Sequence, residues 1–138
     1  NPNVDAKTLK QISTGREGNK FGVSEKEFLN LVQYSKLSKV INLTCLSIHI
    51  GSQIFSHKPY AKMLKVIDKI IKKSNHKFEY VDLGGGMGIS YEKNNKKLNF
   101  KIYNSLINNF LKKNKCKIIF EPGRSLIANT GILISKVI

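Results

Sequence analysis

Three stretches of the chain carry apolar residues at three- and four-residue spacing, which predicts amphipathic helices. The first helix opens at Ser24 and Glu27, a Ser-x-x-Glu capping box, and is predicted to end near Leu37. The second has Pro59 in its first turn, where the missing N–H costs nothing. The predicted buried faces are Phe28, Leu31, Val32 and Ser35, then Tyr60, Met63, Leu64, Ile67, Ile70 and Ile71, then Tyr103, Leu106, Ile107, Phe110 and Leu111.

Short apolar runs alternate with these helices. Residues 43–50, 78–83 and 117–120 are predicted strands, and residues 43–50 have apolar side chains on both faces, as in a buried parallel sheet. Residues 1–8 are predicted to be a strand end that runs into a loop. A Lys- and Asn-rich loop follows the second run, and the residues after Ser125 are predicted to form one more extended segment. Alternating strands and helices predict a parallel α/β fold.

Each predicted strand ends in a polar cluster with glycine, at residues 49–53, 84–88 and 121–125. A (β/α)8 barrel, or TIM barrel, builds its active site from the carboxyl ends of several strands, whereas an open doubly wound sheet concentrates it at one switch point. Three clusters on successive strands therefore favour the barrel. A whole barrel takes about 250 residues, so a chain of 138 residues is predicted to hold a partial (β/α)8 barrel, roughly half of one.

Composition and charge narrow the class of protein. With 41% hydrophobic residues, the chain can form one domain with a core. A net charge of +15 makes nucleic acid an obvious candidate partner. Only Arg16 and Arg124 are arginine among the 24 basic residues, however, and base and phosphate recognition relies heavily on arginine. The scattered lysines are predicted to form a solvated surface with no nucleic-acid partner, and a polyanion site is the alternative.

Nothing in the chain predicts a membrane span or a secretion signal. The chain does not start with Met, which indicates that it begins inside a longer protein. Cys45 and Cys116 lie far apart on apolar runs and are predicted to be small buried residues, with no disulfide and no metal site. The cytoplasm is the predicted compartment.

Gly84, Gly85 and Gly86, directly after the second strand, carry the strongest functional signal. Glycine has no Cβ, so such a run can adopt φ > 0 and bring backbone N–H groups close to a ligand. Converging N–H groups form an anion site, usually for a phosphate. Ser52 and Gly123 offer further donors, and hydrogen bonds to a charged acceptor contribute about 1.5–3 kcal/mol each. A flexible turn is the alternative interpretation.

His49 and Glu121 end the neighbouring strands and are the candidate catalytic residues. His49 can present an aromatic face, and a satisfied core histidine is the alternative. Glu121 follows an apolar run, where burial without a partner is costly. An ion pair between Glu121 and Arg124 or a nearby lysine is the alternative. A phosphate pocket, an aromatic face and a buried carboxylate together suit pyridoxal 5'-phosphate, whose pyridine needs an acidic partner to stay protonated.

Six motifs together resemble the diaminopimelate decarboxylases, in that family's order and at its spacing over almost the whole chain. They are NPNVDAKT at residues 1–8, ISTG at 12–15, KFG at 20–22, HIGSQ at 49–53, LGGGMGI at 83–89 and EPGRS at 121–125. Gln53, and Ser125 followed by Ala128 and Asn129, are more similar to this family than to the ornithine and arginine decarboxylases.

The resemblance implies the second half of an alanine-racemase-like barrel that binds pyridoxal phosphate. It implies a lyase of lysine biosynthesis that converts meso-diaminopimelate to L-lysine and carbon dioxide, acting as a homodimer at full length. By position, His49 would stack on the pyridine ring and Glu121 would pair with its nitrogen. Arg124 would bind phosphate or a substrate carboxylate, for which its bidentate fork is suited. The implied phosphate-binding residues are Ser52, Gly84, Gly85, Gly86 and Gly123, and Pro122 is a further implied cofactor-binding residue.

The chain also departs from the family. Leu9 and Lys10 stand where the family often has His and Pro. The family's lysine that binds the cofactor covalently would precede Asn1, and its β-rich C-terminal domain, with a catalytic cysteine, would follow Ile138. Residues 1–138 are therefore expected to be a segment of the barrel domain, inactive alone. The alternatives are an ornithine- or arginine-type decarboxylase of the same fold, and a non-catalytic module that binds phosphate or the cofactor.

Overall fold

The capping box opens a helix where the sequence predicts one. The computed structural model describes residues 1–91 and 96–136, and its first helix, α1, spans Glu25–Leu37. Ser24 Oγ accepts a hydrogen bond from the Glu27 N–H at 3.3 Å, and Glu27 Oε2 accepts one from the Ser24 N–H at 2.7 Å. Both otherwise unpaired N–H groups are thereby satisfied, which defines the start of α1.

The predicted buried face of α1 is only partly correct. Val32 and Ser35 are buried, and Phe28 packs against the core from its edge. The prediction for Leu31 is wrong, because that side chain is 52% exposed. In the described part of the chain α1 packs mainly against one neighbouring helix, so only a narrow stripe of α1 is covered.

The second and third helices are longer and strongly amphipathic. Helix α2 spans His57–Ser74, and helix α3 spans Phe100–Asn114. Each ends at a residue with left-handed backbone, Asn75 at φ 43° and Lys115 at φ 48°. The predicted apolar faces are confirmed for the buried residues Tyr60, Met63, Leu64, Ile67, Ile70, Tyr103, Ile107 and Phe110, whereas Ile71, Leu106 and Leu111 are half-buried.

The three predicted strands form one parallel sheet, as expected. They are β1 (Cys45–Ser47), β2 (Tyr80–Asp82) and β3 (Lys117–Ile119), in the order β1-β2-β3. Each strand is shorter than its apolar run, although single backbone hydrogen bonds continue the pairing beyond the strand ends. The register pairs Leu46 with Val81 and Val81 with Ile118, so equivalent positions of the three strands lie level across the sheet.

Helices and strands share one apolar core. Helix α2 packs against both α1 and α3. Tyr60, Met63 and Ile67 of α2 and Val81 of β2 are completely buried. At about 1.5–3 kcal/mol for each fully buried large apolar side chain, this cluster is the main contribution that holds α2 against the sheet.

The N-terminal segment is not a strand. Residues 1–8 have no regular secondary structure, although Val4 and Ala6 are buried. The Val4 N–H donates to the Gly15 carbonyl at 2.6 Å, and the Thr14 and Gly15 N–H groups donate to the Ile50 carbonyl. The segment therefore lies against the carboxyl end of β1 through loop contacts. A single apolar residue, Val4, was too little to predict those contacts.

The C-terminal prediction of an extended segment is wrong where the structure describes it. A short helix, α4, spans Arg124–Ile127. Residues 131–136 have no regular structure and are exposed. A weak alternation of apolar and polar residues produces a strand only when a neighbouring strand is present to pair with that segment. Residues 137–138, and residues 92–95 of the predicted Lys- and Asn-rich loop, lie outside the described residues.

Two further predictions concern the membrane and the cysteines. Over residues 1–91 and 96–136, no helix combines the length and the apolar character needed to cross a membrane.

Cys45 and Cys116 are free thiols, and each is half-buried rather than fully buried. Burial raises the pKa of both thiols above the ordinary value for cysteine.

Candidate functional site

The register of the sheet brings the three polar clusters to one edge. Ser47, Asp82 and Ile119 are paired across the strands, and each cluster begins two residues later. Pairing continues past the strand ends, because the Glu121 N–H donates to the Gly84 carbonyl at 2.8 Å. The strand ends that carry His49, Gly84 and Glu121 are therefore neighbours.

The glycine segment, residues 84–88, has the backbone conformation that its composition suggests. Gly84 has φ +62° and Gly86 has φ +89°, a region that side chains with a Cβ rarely adopt. The segment is bonded on both sides, since the Ile54 N–H donates to the Gly86 carbonyl at 2.9 Å and the Gly88 N–H donates to the Ile54 carbonyl at 3.1 Å. These bonds do not fit the alternative of an unattached, flexible turn.

Gly85 is the point where the second and third clusters touch. A Cβ built on Gly85 would overlap the Glu121 carbonyl oxygen and would lie 3.4 Å from Pro122 Cα. These are backbone atoms, which cannot rotate away as the end of a flexible side chain can. The absence of a side chain at Gly85 therefore lets the strand ends of β2 and β3 approach this closely.

His49 contacts the glycine segment from the other side. Its Nδ1 accepts a hydrogen bond from the Gly85 N–H at 3.3 Å, and a Cβ on Gly84 would lie 2.7 Å from the same nitrogen. Because Nδ1 is an acceptor, a neutral ring carries its proton on Nε2. The ring is exposed, so the alternative of a satisfied core histidine is wrong.

Glu121 lies in the site but is not buried. The carboxylate is exposed, and it has no ion pair or hydrogen bond within the part of the chain that the structure describes. The expected burial is wrong because β3 is an edge strand of this sheet, and the preceding Ile119 and Phe120 are themselves 40% and 41% exposed. The alternative of an ion pair between Glu121 and Arg124 or a lysine is therefore also wrong for the residues that the structure describes.

The remaining predicted residues lie near the site without touching its centre. Ser52 is half-buried, and its N–H donates to the Ile12 carbonyl at 2.9 Å. Gly123 accepts hydrogen bonds from the N–H groups of Leu126 and Ile127, and nothing lies within 4 Å of a Cβ built on it. Arg124 is exposed. The structure brings His49, the glycine segment and Glu121 together, and it leaves Gly123 and Arg124 open to solvent.

Asp82 is a site residue that sequence reasoning missed. The side chain is buried, its Oδ1 accepts from the Gly84 N–H at 2.8 Å, and its Oδ2 accepts from Ser47 Oγ at 3.0 Å. The carboxylate thus fixes the first glycine and ties it to β1. A carboxylate two residues before Gly84 was the available signal, because aspartate readily bonds the backbone two residues on.

Tyr60 is a second missed residue. Its hydroxyl donates to the Gly85 carbonyl at 3.0 Å from the first turn of α2. Its ring lies 4.7 Å from the ring of Tyr103, measured between centroids. Burial, and to a smaller extent the neighbouring Tyr103, raises the pKa of the Tyr60 hydroxyl, and burial raises the pKa of Tyr103 to about 12. Both hydroxyls therefore stay protonated at neutral pH, and Tyr60 remains a donor.

The two tyrosines allow a matched test of the Gly85 contact. Tyr60→Phe removes the donor and leaves a buried carbonyl unpaired, so it is expected to lower the free energy of unfolding by about 1–3 kcal/mol. Tyr103→Phe removes a buried hydroxyl that has no hydrogen-bond partner among the described residues, so it is expected to be neutral or stabilising. Urea unfolding of both variants of the full-length protein measures the difference. Equal destabilisation by the two changes would show that the Tyr60 bond contributes nothing.

A groove of about 500 Å³ opens beside the exposed ring of His49. The groove is also lined by Ser47 and Ile48 of the β1 end and by Thr14 and Phe21 of the loops before α1. His49 therefore forms part of a concave surface and is bonded to the glycine segment at Gly85.

This arrangement agrees with a known family. Residues 1–128 match the family described as "Pyridoxal-dependent decarboxylase, pyridoxal binding domain". The chain belongs to the pyridoxal-dependent decarboxylase family. The match includes all three strand ends, so the site described above lies inside the pyridoxal binding domain of this family.

Individual members of the family show the same relationship. The chain is 40% identical to the diaminopimelate decarboxylase of Zymomonas mobilis, over 100% of this chain and 34% of that protein. It is 36% identical to the diaminopimelate decarboxylase of Aquifex aeolicus, over 99% and 33% of the two chains. A crystal structure of a mutant diaminopimelate decarboxylase from Helicobacter pylori, complexed with L-lysine, matches with a TM-score of 0.86 at 38% identity, over 93% of this chain and 33% of that one. The resemblance inferred from the motifs is confirmed, and the chain spans about a third of the length of the curated relatives it matches.

Proposed function

We propose that this chain is part of the pyridoxal-binding barrel of a diaminopimelate decarboxylase. The proposed reaction of the whole protein converts meso-diaminopimelate to L-lysine and carbon dioxide, a step of lysine biosynthesis. The observation that carries the proposal is the meeting of His49, Gly85 and Glu121 at one edge of the sheet. The substrate class is supported by the likeness to enzymes of that name and to a structure complexed with L-lysine.

The phosphate of the cofactor is proposed to bind where backbone donors are free. Within residues 1–91 and 96–136, the N–H groups of Gly86, Gly123 and Arg124 and the hydroxyl of Ser52 have no hydrogen-bond partner. Hydrogen bonds to a charged acceptor contribute about 1.5–3 kcal/mol each, so these donors are sufficient for a phosphate. The exposed guanidinium of Arg124 can bind the same phosphate or a substrate carboxylate in bidentate fashion.

The ring of the cofactor is proposed to lie between His49 and Glu121. The His49 ring accepts a hydrogen bond from the Gly85 N–H and is exposed, so it can present an aromatic face. The Glu121 carboxylate is free of other partners in the described chain, so it can pair with a protonated pyridine nitrogen. When bound, pyridoxal phosphate supplies an electron sink for the decarboxylation. The role of Glu121 is to keep the pyridine protonated, and the role of His49 is to orient it.

The fold is proposed to be the second half of an alanine-racemase-like (β/α)8 barrel, formed by residues 1–138. In the sheet as described, the outer edges of β1 and β3 have no partner strand. Apolar side chains of β3 and of the residues that follow it are exposed, namely Ile119, Phe120, Leu126 and Ile127. Further barrel strands would pair with these edges, cover these side chains and enclose Glu121. A full-length homodimer, a cytoplasmic location and the lack of a nucleic-acid partner stay predictions.

The proposal is tested with the full-length protein, incubated with pyridoxal phosphate and then desalted. We expect cofactor absorbance to elute with the protein, and carbon dioxide to be released faster from meso-diaminopimelate than from ornithine or arginine. Faster release from ornithine or arginine would indicate a decarboxylase of that type. Retained cofactor without release of carbon dioxide from any of the three would indicate a non-catalytic module.

A further inference from the structure

Gln53 makes a pair of hydrogen bonds that the site described so far does not use. Its side-chain Oε1 accepts from the Ile89 N–H at 2.9 Å, and its Nε2 donates to the Ile89 carbonyl at 3.2 Å. One side-chain amide therefore satisfies both backbone groups of a residue that is 36 positions away. The Gln53 amide thus makes the two hydrogen bonds to Ile89 that the backbone of a neighbouring strand would otherwise make.

The backbone of Gln53 is in a conformation that glycine favours. Its φ is +60°, in the left-handed region where residues with a long side chain are uncommon. Such a conformation is strained for a residue with a Cβ and persists only where the surroundings impose it. Directing the side-chain amide onto Ile89 explains why glutamine stands at a position where glycine would be less strained.

Gln53 and the next residue together hold the exit of the glycine segment. Gln53 makes two hydrogen bonds to Ile89, and Ile54 makes one each to Gly86 and Gly88. The same loop carries Ser52, immediately before Gln53. These bonds therefore set the separation between the Ser52 hydroxyl and the free N–H of Gly86.

We propose that Gln53 is a positioning residue, whose amide fixes the glycine segment relative to Ser52 so that both can bind one phosphate. This inference rests on the proposed function of the site. Gln53 is half-buried and outside the apolar core, and ordering a long, flexible glutamine side chain costs conformational entropy that offsets the hydrogen bonds. The two hydrogen bonds of the amide are therefore expected to fix the position of the glycine segment and to add little to the free energy of unfolding.

The experiment uses Gln53→Asn in the full-length protein. Asparagine tolerates the left-handed backbone and keeps the amide group, but it is one methylene shorter and cannot reach Ile89. Gln33→Asn is the matched control, because it makes the same chemical change at an exposed position of α1. Amide hydrogen exchange without cofactor, the dissociation constant of pyridoxal phosphate and the thermal unfolding temperature are measured for both variants.

We expect Gln53→Asn to accelerate exchange at Ile89 and in the glycine segment, and to weaken cofactor binding roughly tenfold. Removing a hydrogen bond that orients a metal ligand typically weakens metal binding about 10–100-fold, and the tenfold effect expected here is the lower end of that range. The unfolding temperature and the turnover number at saturating cofactor should stay close to those of Gln33→Asn. Unchanged exchange would overturn the proposal, and so would faster exchange with unchanged cofactor affinity. If the unaltered protein bound no cofactor, the proposed function would fail, while the exchange measurement would still decide whether Gln53 holds the segment.

Discussion

Replacing Glu121 with glutamine in the full-length protein is expected to lower kcat on the order of 10²–10³-fold, the effect of losing one preorganised electrostatic partner in an active site. Glutamine has almost the same shape as glutamate but no charge, so it cannot keep the pyridine protonated. The fold should be unaffected, because the Glu121 side chain is exposed and makes no hydrogen bond or ion pair with the rest of the described chain. Steady-state kinetics with thermal unfolding measures both effects.

Glu79→Gln is the matched control for this change. Glu79 is an exposed carboxylate just before β2, at the opposite end of the sheet from the site, and it pairs with Lys117 at 3.1 Å. Exposed ion pairs contribute about 0–1 kcal/mol, so this variant should keep normal turnover. Cofactor content should also stay normal in Glu121→Gln, since other groups are proposed to hold the phosphate. Turnover of Glu121→Gln equal to that of Glu79→Gln would contradict the role of Glu121.

Gly85→Ala is expected to destabilise the full-length protein by about 3 kcal/mol, the upper end of the usual cost of overpacking. The new Cβ would overlap the Glu121 carbonyl oxygen and approach its carbonyl carbon to 3.0 Å. Relief requires the β2 and β3 ends to separate, which strains the hydrogen bond from the Glu121 N–H to the Gly84 carbonyl. Separation would also displace Glu121 from His49, so cofactor affinity should fall together with stability.

Gly131→Ala provides the comparison for this glycine. Nothing lies within 4 Å of a Cβ built on Gly131, and its backbone is outside the left-handed region. Surface substitutions of this kind change stability by about 0.5 kcal/mol or less. Urea unfolding and cofactor titration of the two variants measure the contrast. If Gly85→Ala unfolded at the same urea concentration as Gly131→Ala, the close approach of the strand ends would not be essential.

The helices could be predicted because their signals are local. Ser24 and Glu27 are three residues apart, and the apolar stripe of α2 repeats within each turn, so neighbouring side chains specify both the helix and its buried face. Leu31 fits the same spacing in α1 but is exposed. Whether an apolar helix position is covered depends on what packs against it, and that partner lies elsewhere in the chain.

In the candidate site, too, residues with a local sequence signal could be predicted, and residues that depend on contacts from elsewhere in the chain could not. His49, the glycine segment and Glu121 were recognisable because each directly follows an apolar strand. Asp82, Tyr60 and Gln53 were missed as parts of the site, although Asp82 lies only two residues from the glycine that it bonds. Tyr60 bonds a residue 25 positions away, and its place in an apolar stripe predicts packing alone.

By itself, the sequence determined the alternation of α1 to α3 with β1 to β3, the glycines that permit close backbone approach, and the identity of the groups at the strand ends. These properties follow from backbone preferences and from side-chain periodicity over a few residues. Only the tertiary structure decided that the Gly85 N–H meets His49, that Gly85 packs on the Glu121 carbonyl and that Gln53 pairs with Ile89. Those contacts depend on the register of parallel strands, which is set when helices between them pack against a common core.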